Sequence, residues 1–149
     1  MGQQQLLLVI LVTIIVGIAT VVAINIFGSA SDQANRDATR QDLMAAAVQA
    51  QAIWSRPRMM DGVGRDFTEG EVTDGEFMEM LNIPSNTFNG TLPLVNENAS
   101  YALTRGAVDE ITITATPTSG GADIVMGLTR DATTDNWVVD IDGSSTTTQ

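Results

Sequence analysis

From Gln3 to Ser31 the chain carries no charged side chain, and within that stretch Leu6 to Phe27 reads LLLVILVTIIVGIATVVAINIF. Seven consecutive apolar residues, Leu6 to Val12, already cover every direction around a helix. At ~1.5 Å per residue, the ~22 residues reach ~33 Å, enough to cross the ~30 Å hydrocarbon core of a bilayer. Three readings compete for this segment. A secretory signal would have an apolar core of ~7–15 residues behind a basic start, whereas no Lys or Arg precedes Arg36. A plain membrane anchor fits the hydropathy. So does a helix that waits in a membrane until it is polymerised into a filament core.

The pattern changes after Gly28-Ser29-Ala30-Ser31, a short polar break where a helix can kink. Asp32 to Ser55 contains neither Gly nor Pro and is rich in Ala and Gln, so helix propensity is high. Asp32 and Arg36 sit four apart in the favourable order. Leu43, Ala46 or Ala47, Ala50 and Ile53 or Trp54 recur at three- and four-residue spacing and make one apolar stripe. Pro57 stops the helix, because it pushes the preceding residue out of helical space. The reading is an apolar transmembrane or filament-core helix over residues 1–28 and an amphipathic continuation over 29–56.

Residues 57–99 read as an acidic loop with one short helix. Thr73 and Glu76 form a T-x-x-E capping box ahead of Phe77, Met78 and Leu81, and Pro84 closes it. Residues 100–143 turn to β-type alternation, in Tyr101 to Thr104, Glu110 to Thr116, Ala122 to Thr129 and Asn136 to Ile141. Arg105-Gly106, Ser119-Gly120-Gly121 and Thr133 to Asp135 separate these runs. Short connections predict an antiparallel meander with one buried face, whose partner is the Leu43 to Trp54 stripe. Residues 144–149 read as a flexible polar tail. The fold class is therefore α+β, a long N-terminal helix packed on a C-terminal antiparallel sheet.

Composition narrows the function. With no Cys and no His, disulfides, thiol chemistry, zinc sites on those ligands and histidine acid-base catalysis are excluded. Formal net charge is -11, from 18 Asp and Glu against 7 basic residues that are all arginine. The absence of lysine and the acidic excess resemble proteins from saline environments, where salt screens self-repulsion. Nucleic acid is not expected as a partner of so acidic a chain.

A hydrophobic first residue, Met1, then an uncharged polar cluster, Gln3-Gln4-Gln5, then an apolar helix continuing beneath an antiparallel sheet resembles a type IV pilin or pilin-like filament subunit. Met1 to Phe27 carries the likeness, and the late stretches ITITATPTSGG and NWVVDIDG are similar to the sheets of pilins and pseudopilins. The resemblance implies a homopolymer of identical subunits that rests in the inner membrane before assembly, served by pilus assembly machinery and a prepilin peptidase. It implies assembly through Met1, Gln3, Gln4, Gln5, Leu6, Leu7, Leu8, Ile10, Leu11, Ile14, Ile15, Ile18, Val21, Val22, Ile24 and Phe27. Bacterial pilins commonly carry a glutamate where Gln5 stands, which meets a neighbour's N-terminal amine. Gln3, Gln4 and Gln5 offer amide oxygens as a neutral polar layer in its place. A helix-breaking proline, frequent in that family's apolar segment, is missing, leaving Gly17 and Gly28 as the weak points. No basic leader precedes Met1, and a Met retained before Gly2 predicts prior processing of the N-terminus.

Other candidate chemistry is sparse. Asp140 and Asp142 before Gly143 make a D-x-D-G fragment, a weak metal candidate without the glutamate that closes an EF-hand loop. Asn89-Gly-Thr and Asn98-Ala-Ser are glycosylation sequons. No carboxylate pair or hydroxyl triad stands out, so neither an enzyme nor a cofactor is expected. The leading expectation is a structural subunit of an extracellular helical filament serving adhesion, motility or surface interaction. A single-pass anchored extracytoplasmic binding domain, and a pseudopilin or minor pilin of a secretion machine, stand as alternatives.

Overall fold

The computed structural model describes residues 2–148 apart from Glu69, Glu71 and Asn86, with the backbone alone for residues 144–148. Helix α1 covers Gly2–Ser55, helix α2 Asp74–Met80, and six strands follow: β1 Leu94–Val95, β2 Ala99–Ala107, β3 Glu110–Pro117, β4 Ile124–Arg130, β5 Trp137–Ile141 and β6 Ser144–Thr148. The chain forms two compact units, residues 1–34 and residues 35–149. Gly28 to Ser31, where the sequence allows a break, are helical.

In the second unit the six strands pair antiparallel in sequence order. The α+β class is as expected, a long helix packed on a C-terminal antiparallel sheet. Alternation decides the buried face. Tyr101 and Leu103 on β2, Ile111, Ile113 and Ala115 on β3, Ile124, Met126 and Leu128 on β4 and Val139 on β5 are buried together with Leu43, Ala46, Ala47, Ala50, Ile53 and Trp54 of α1. Three alanines in the helical stripe let the backbone lie close to the sheet, so the branched strand residues fill the gap. Trp54 and Trp137 meet edge to face at 5.3 Å between ring centroids, one from the helix and one from β5.

Helix α2 carries the reciprocal box expected from the sequence. The Thr73 hydroxyl accepts from the Glu76 N–H at 3.3 Å and the Glu76 carboxylate accepts from the Thr73 N–H at 2.9 Å.

Three expectations need correction. The meander begins at Leu94 rather than at residue 100, because the buried Leu94 pairs opposite Tyr101. Gly106 does not turn the chain. The turn is Val108-Asp109, and Gly106 is the extra residue of a β-bulge between the pairs Arg105–Ile111 and Ala107–Glu110. Residues 144–148, read as a loose tail, run back along β5 as β6, with Ser144 opposite Ile141 and Thr148 opposite Trp137. Asp142 and Gly143, both at positive φ, make the reversal.

Candidate functional site

The strongest surface anomaly is the first unit. Sixteen large apolar side chains between Leu6 and Phe27 are exposed, from 48% for Ile10 to 75% for Phe27. This is one helix long and apolar enough to cross a membrane, and it lies near the N-terminus. Its two threonine hydroxyls are bonded within the helix, and its remaining polar side chain, the exposed Asn25, stands near its end. The Thr13 hydroxyl donates to the Val9 carbonyl at 2.7 Å and the Thr20 hydroxyl to the Val16 carbonyl at 2.8 Å. Hydroxyls bonded back to the preceding turn present only methyl groups outward, which suits a waterless environment. Among the expected assembly residues, Gln3, Gln4, Gln5, Leu6, Leu7, Leu8, Ile10, Leu11, Ile14, Ile15, Ile18, Val21, Val22, Ile24 and Phe27 are all helical and exposed. Met1 lies outside the described residues.

Gly17 stands in this helix without a reason of its own chain. A Cβ added there would meet nothing within 4 Å, while glycine in a helix interior costs about 1 kcal/mol relative to alanine. Thr13, Gly17 and Thr20 share one face, at spacings of four and three. Small residues on one face are what lets helix backbones come close together in a membrane.

On the second unit, the face of α1 turned from the sheet is uncharged between Gln41 and Gln49. Met44 is 45% exposed and Val48 63%, with Gln41, Ala45 and Gln49 exposed around them. Charge is concentrated elsewhere, and Arg36, Arg40, Arg105 and Arg130 help to hold the fold. Arg36 donates to the Ala122 carbonyl at 2.8 Å. Arg40 reaches Asp37 at 3.3 Å and Asp142 at 3.1 Å. Arg105 donates through Nε to Asp74 at 2.7 Å, and through its two terminal nitrogens to the carbonyls of Phe67 at 3.1 Å and Val72 at 2.9 Å. Arg130 pairs with Asp135 and lies 4.4 Å over the Trp54 ring. Arg105 and Phe67 together stitch the 57–99 segment to the sheet, a role that the acidic, aperiodic sequence of that segment concealed.

Exposed acids gain local partners instead of distant ones. Hydrogen bonds from the Thr68 hydroxyl and N–H hold Asp66 below the usual carboxylate range, the Thr73 N–H does so for Glu76, and the Thr133 N–H for Asp131. The half-buried Asp42 is a different case. One of its carboxylate oxygens accepts from Asn96 Nδ2 at 3.1 Å, Asn98 Nδ2 at 3.1 Å and the Tyr101 hydroxyl at 2.8 Å. Burial, and then the bond to Asp42, push the Tyr101 hydroxyl well above its ordinary pKa.

Asp140 and Asp142 stand in different surroundings. Asp142 is engaged by Arg40 and by the Val125 N–H at 3.2 Å. One oxygen of Asp140 is buried without a partner among the described residues; on β5 it stands opposite Gly127. Among the described residues no three acidic side chains gather as a metal site. Asn89 is exposed and Asn98 half-buried. A cleft of about 510 Å³ beside α2 is lined by residues that include Arg58, Asp61, Val63, Glu76, Glu79 and Met80.

Compared with known families, with characterised proteins and with solved structures, the chain matches none.

Proposed function

We propose that this chain is the structural subunit of an extracellular helical filament, held in a membrane by residues 6–27 before assembly and packed through the same residues against identical helices afterwards. The carrying observation is the exposed apolar segment, interrupted near its end by Asn25, with its two threonine hydroxyls bonded back to the preceding turn. Monomeric soluble proteins rarely expose apolar patches beyond ~300–600 Å². A helix burying on the order of 1,000 Å² at ~25 cal/mol/Å² has a gross driving force of ~25 kcal/mol before the entropy of association is subtracted. A plain anchor needs only lipid; Gly17 with its two small neighbours, and the uncharged Gln3 to Gln5 cluster, favour close contact with other helices. Head-to-tail contacts between identical subunits that do not close into a ring generate an open helical polymer.

Adhesion, motility and surface interaction are roles of the assembled polymer, and the work of the subunit is mechanical. The pilin-like likeness of Met1 to Phe27 supports processing by a prepilin peptidase and extraction from the inner membrane by assembly machinery. Electron microscopy of material sheared from intact cells, with mass spectrometry of the protein band and its first residue, tests the reading. Filaments composed of this chain, with Leu6 to Phe27 in their core, are the expected result. Recovery of the chain solely as discrete detergent-soluble particles would replace it with the anchored extracytoplasmic domain.

A further inference from the structure

Two tripeptides in this chain have the acceptor pattern for N-linked glycan, Asn89-Gly90-Thr91 and Asn98-Ala99-Ser100, and the fold treats them oppositely. Asn89 is exposed in the connection between α2 and β1. Its Oδ1 accepts from the Thr91 N–H at 3.2 Å, an Asx turn over Gly90, whose φ is +82°. That turn places the hydroxyl-bearing residue beside the asparagine amide and leaves Nδ2 with no partner among the described residues. The loop is held on either side of the asparagine: the Gly90 carbonyl packs against Gly75 of α2 so closely that a Cβ at Gly75 would collide with it, and Phe88 and Leu92 pack against the core. Nothing in that anchoring uses the Asn89 amide.

Asn98 is engaged at its side-chain amine, its N–H and its backbone carbonyl, which accepts from the Thr118 N–H at 2.9 Å. Its Nδ2 donates to Asp42 at 3.1 Å and its N–H to the Asn96 side chain at 2.9 Å. The next residue, Ala99, is fully buried, and Ser100 lies within the sheet between Val95 of β1 and Thr116 of β3. An enzyme that must grip an extended tripeptide would have to strip β2 from both neighbours and empty the Asp42 site.

We propose that Asn89 is the N-glycan acceptor of the folded chain and that Asn98 is closed to modification by its fold. The donor is an oligosaccharide activated on a lipid-linked phosphate, supplied by a membrane oligosaccharyl transferase. A bond forms between Asn89 Nδ2 and the sugar C1. The C1–oxygen bond to phosphate breaks, the lipid phosphate leaves with the electron pair, and one Nδ2 proton passes to a carboxylate of the transferase. The hydroxyl of Thr91, the residue whose N–H closes the turn, is what the transferase reads. The inference rests on residues 35–149 being outside the membrane, a condition that the filament and the anchored readings share.

The test is glycopeptide mass spectrometry on the full chain from its own cells, with protease treatment of whole cells to establish that it is outside. Cleavage after Glu97 separates the two sequons. A sugar mass on the Asn89 peptide, complete loss of it in Asn89→Gln and Thr91→Ala, and its retention in Thr91→Ser and Asn98→Gln are expected. An unmodified Asn89 on an externally exposed chain would overturn the proposal, as would a sugar on Asn98, which would mean modification before β2 pairs. Filaments bearing a bare Asn89 would leave the filament reading intact, and a glycosylated chain found only as discrete membrane particles would do the reverse.

Discussion

Tyr101 is the most informative single residue, because the chain has one tyrosine and lacks lysine, cysteine and histidine. No other side chain titrates between about pH 9 and 12. In the unfolded chain the phenol ionises near its ordinary value of 10.0, while in the fold burial and the Asp42 carboxylate raise it. The native state therefore holds one more proton than the unfolded state above pH 10, so stability is full below that point and falls as pH rises beyond it. Urea midpoints measured from pH 8 to 12 should decline only past pH 10 in the wild type and stay flat in Tyr101→Phe; an equal decline in both would refute the assignment. At neutral pH the same variant should lose about 1–2 kcal/mol, since Asp42 keeps its two asparagine donors. Arg105 makes a second case. Lysine cannot span Asp74 and the carbonyls of Phe67 and Val72 with a single nitrogen, so Arg105→Lys should cost about 1–3 kcal/mol at an unchanged denaturant slope. A change under 0.5 kcal/mol would show that water replaces the guanidinium contacts.

Among the elements, α1 was legible from residue pattern almost to its last turn, because Pro57 and the three-and-four spacing of Leu43 to Trp54 act locally. The capping box of α2 was legible for the same reason. What escaped was non-local. Gly106 looks like a turn residue in sequence, and only the pairing with β3 makes it a bulge; residues 144–148 look like a polar tail, and only the edge of β5 makes them a strand. Asp42 shows the same limit at the site level, as its three donors come from residues 54 to 59 positions away. Gly17 is legible as a weak point in the helix, but its meaning comes from the empty space around it. If a second helix fills that space, Gly17→Leu should sharply reduce sheared filament while the melting temperature of residues 35–149 stays unchanged, and Gly17→Ala should assemble more nearly like the wild type. Normal filament yield from Gly17→Leu would mean that this face looks elsewhere.

In the molecule as a whole, greasy surface and charge are segregated between the two units. Asp32 is the sole charged side chain before Asn35, so nearly the entire acidic excess belongs to residues 35–149. That unit has its own core, from Leu43 to Val139, and should fold alone as a soluble monomer that does not polymerise. Its arginines are largely spent in pairs and carbonyl bonds within the fold, leaving exposed carboxylates to repel one another. Repulsion between exposed charges acts over ~10 Å at 0.1 M salt and only ~3 Å at 1 M. Raising sodium chloride across that range should therefore raise the melting temperature of residues 35–149. If the full chain polymerises as proposed, the same change should raise the yield of filaments, since each added subunit would bring further negative charge beside its neighbours. Apolar contacts between copies of residues 6–27 in the proposed filament would strengthen in the same direction only with excluded salts such as sulfate, so sodium perchlorate at matched ionic strength separates the two terms. Perchlorate stabilising the isolated unit as well as chloride would identify screening as the cause. A melting temperature indifferent to both salts would mean that the carboxylates are already far enough apart to ignore each other.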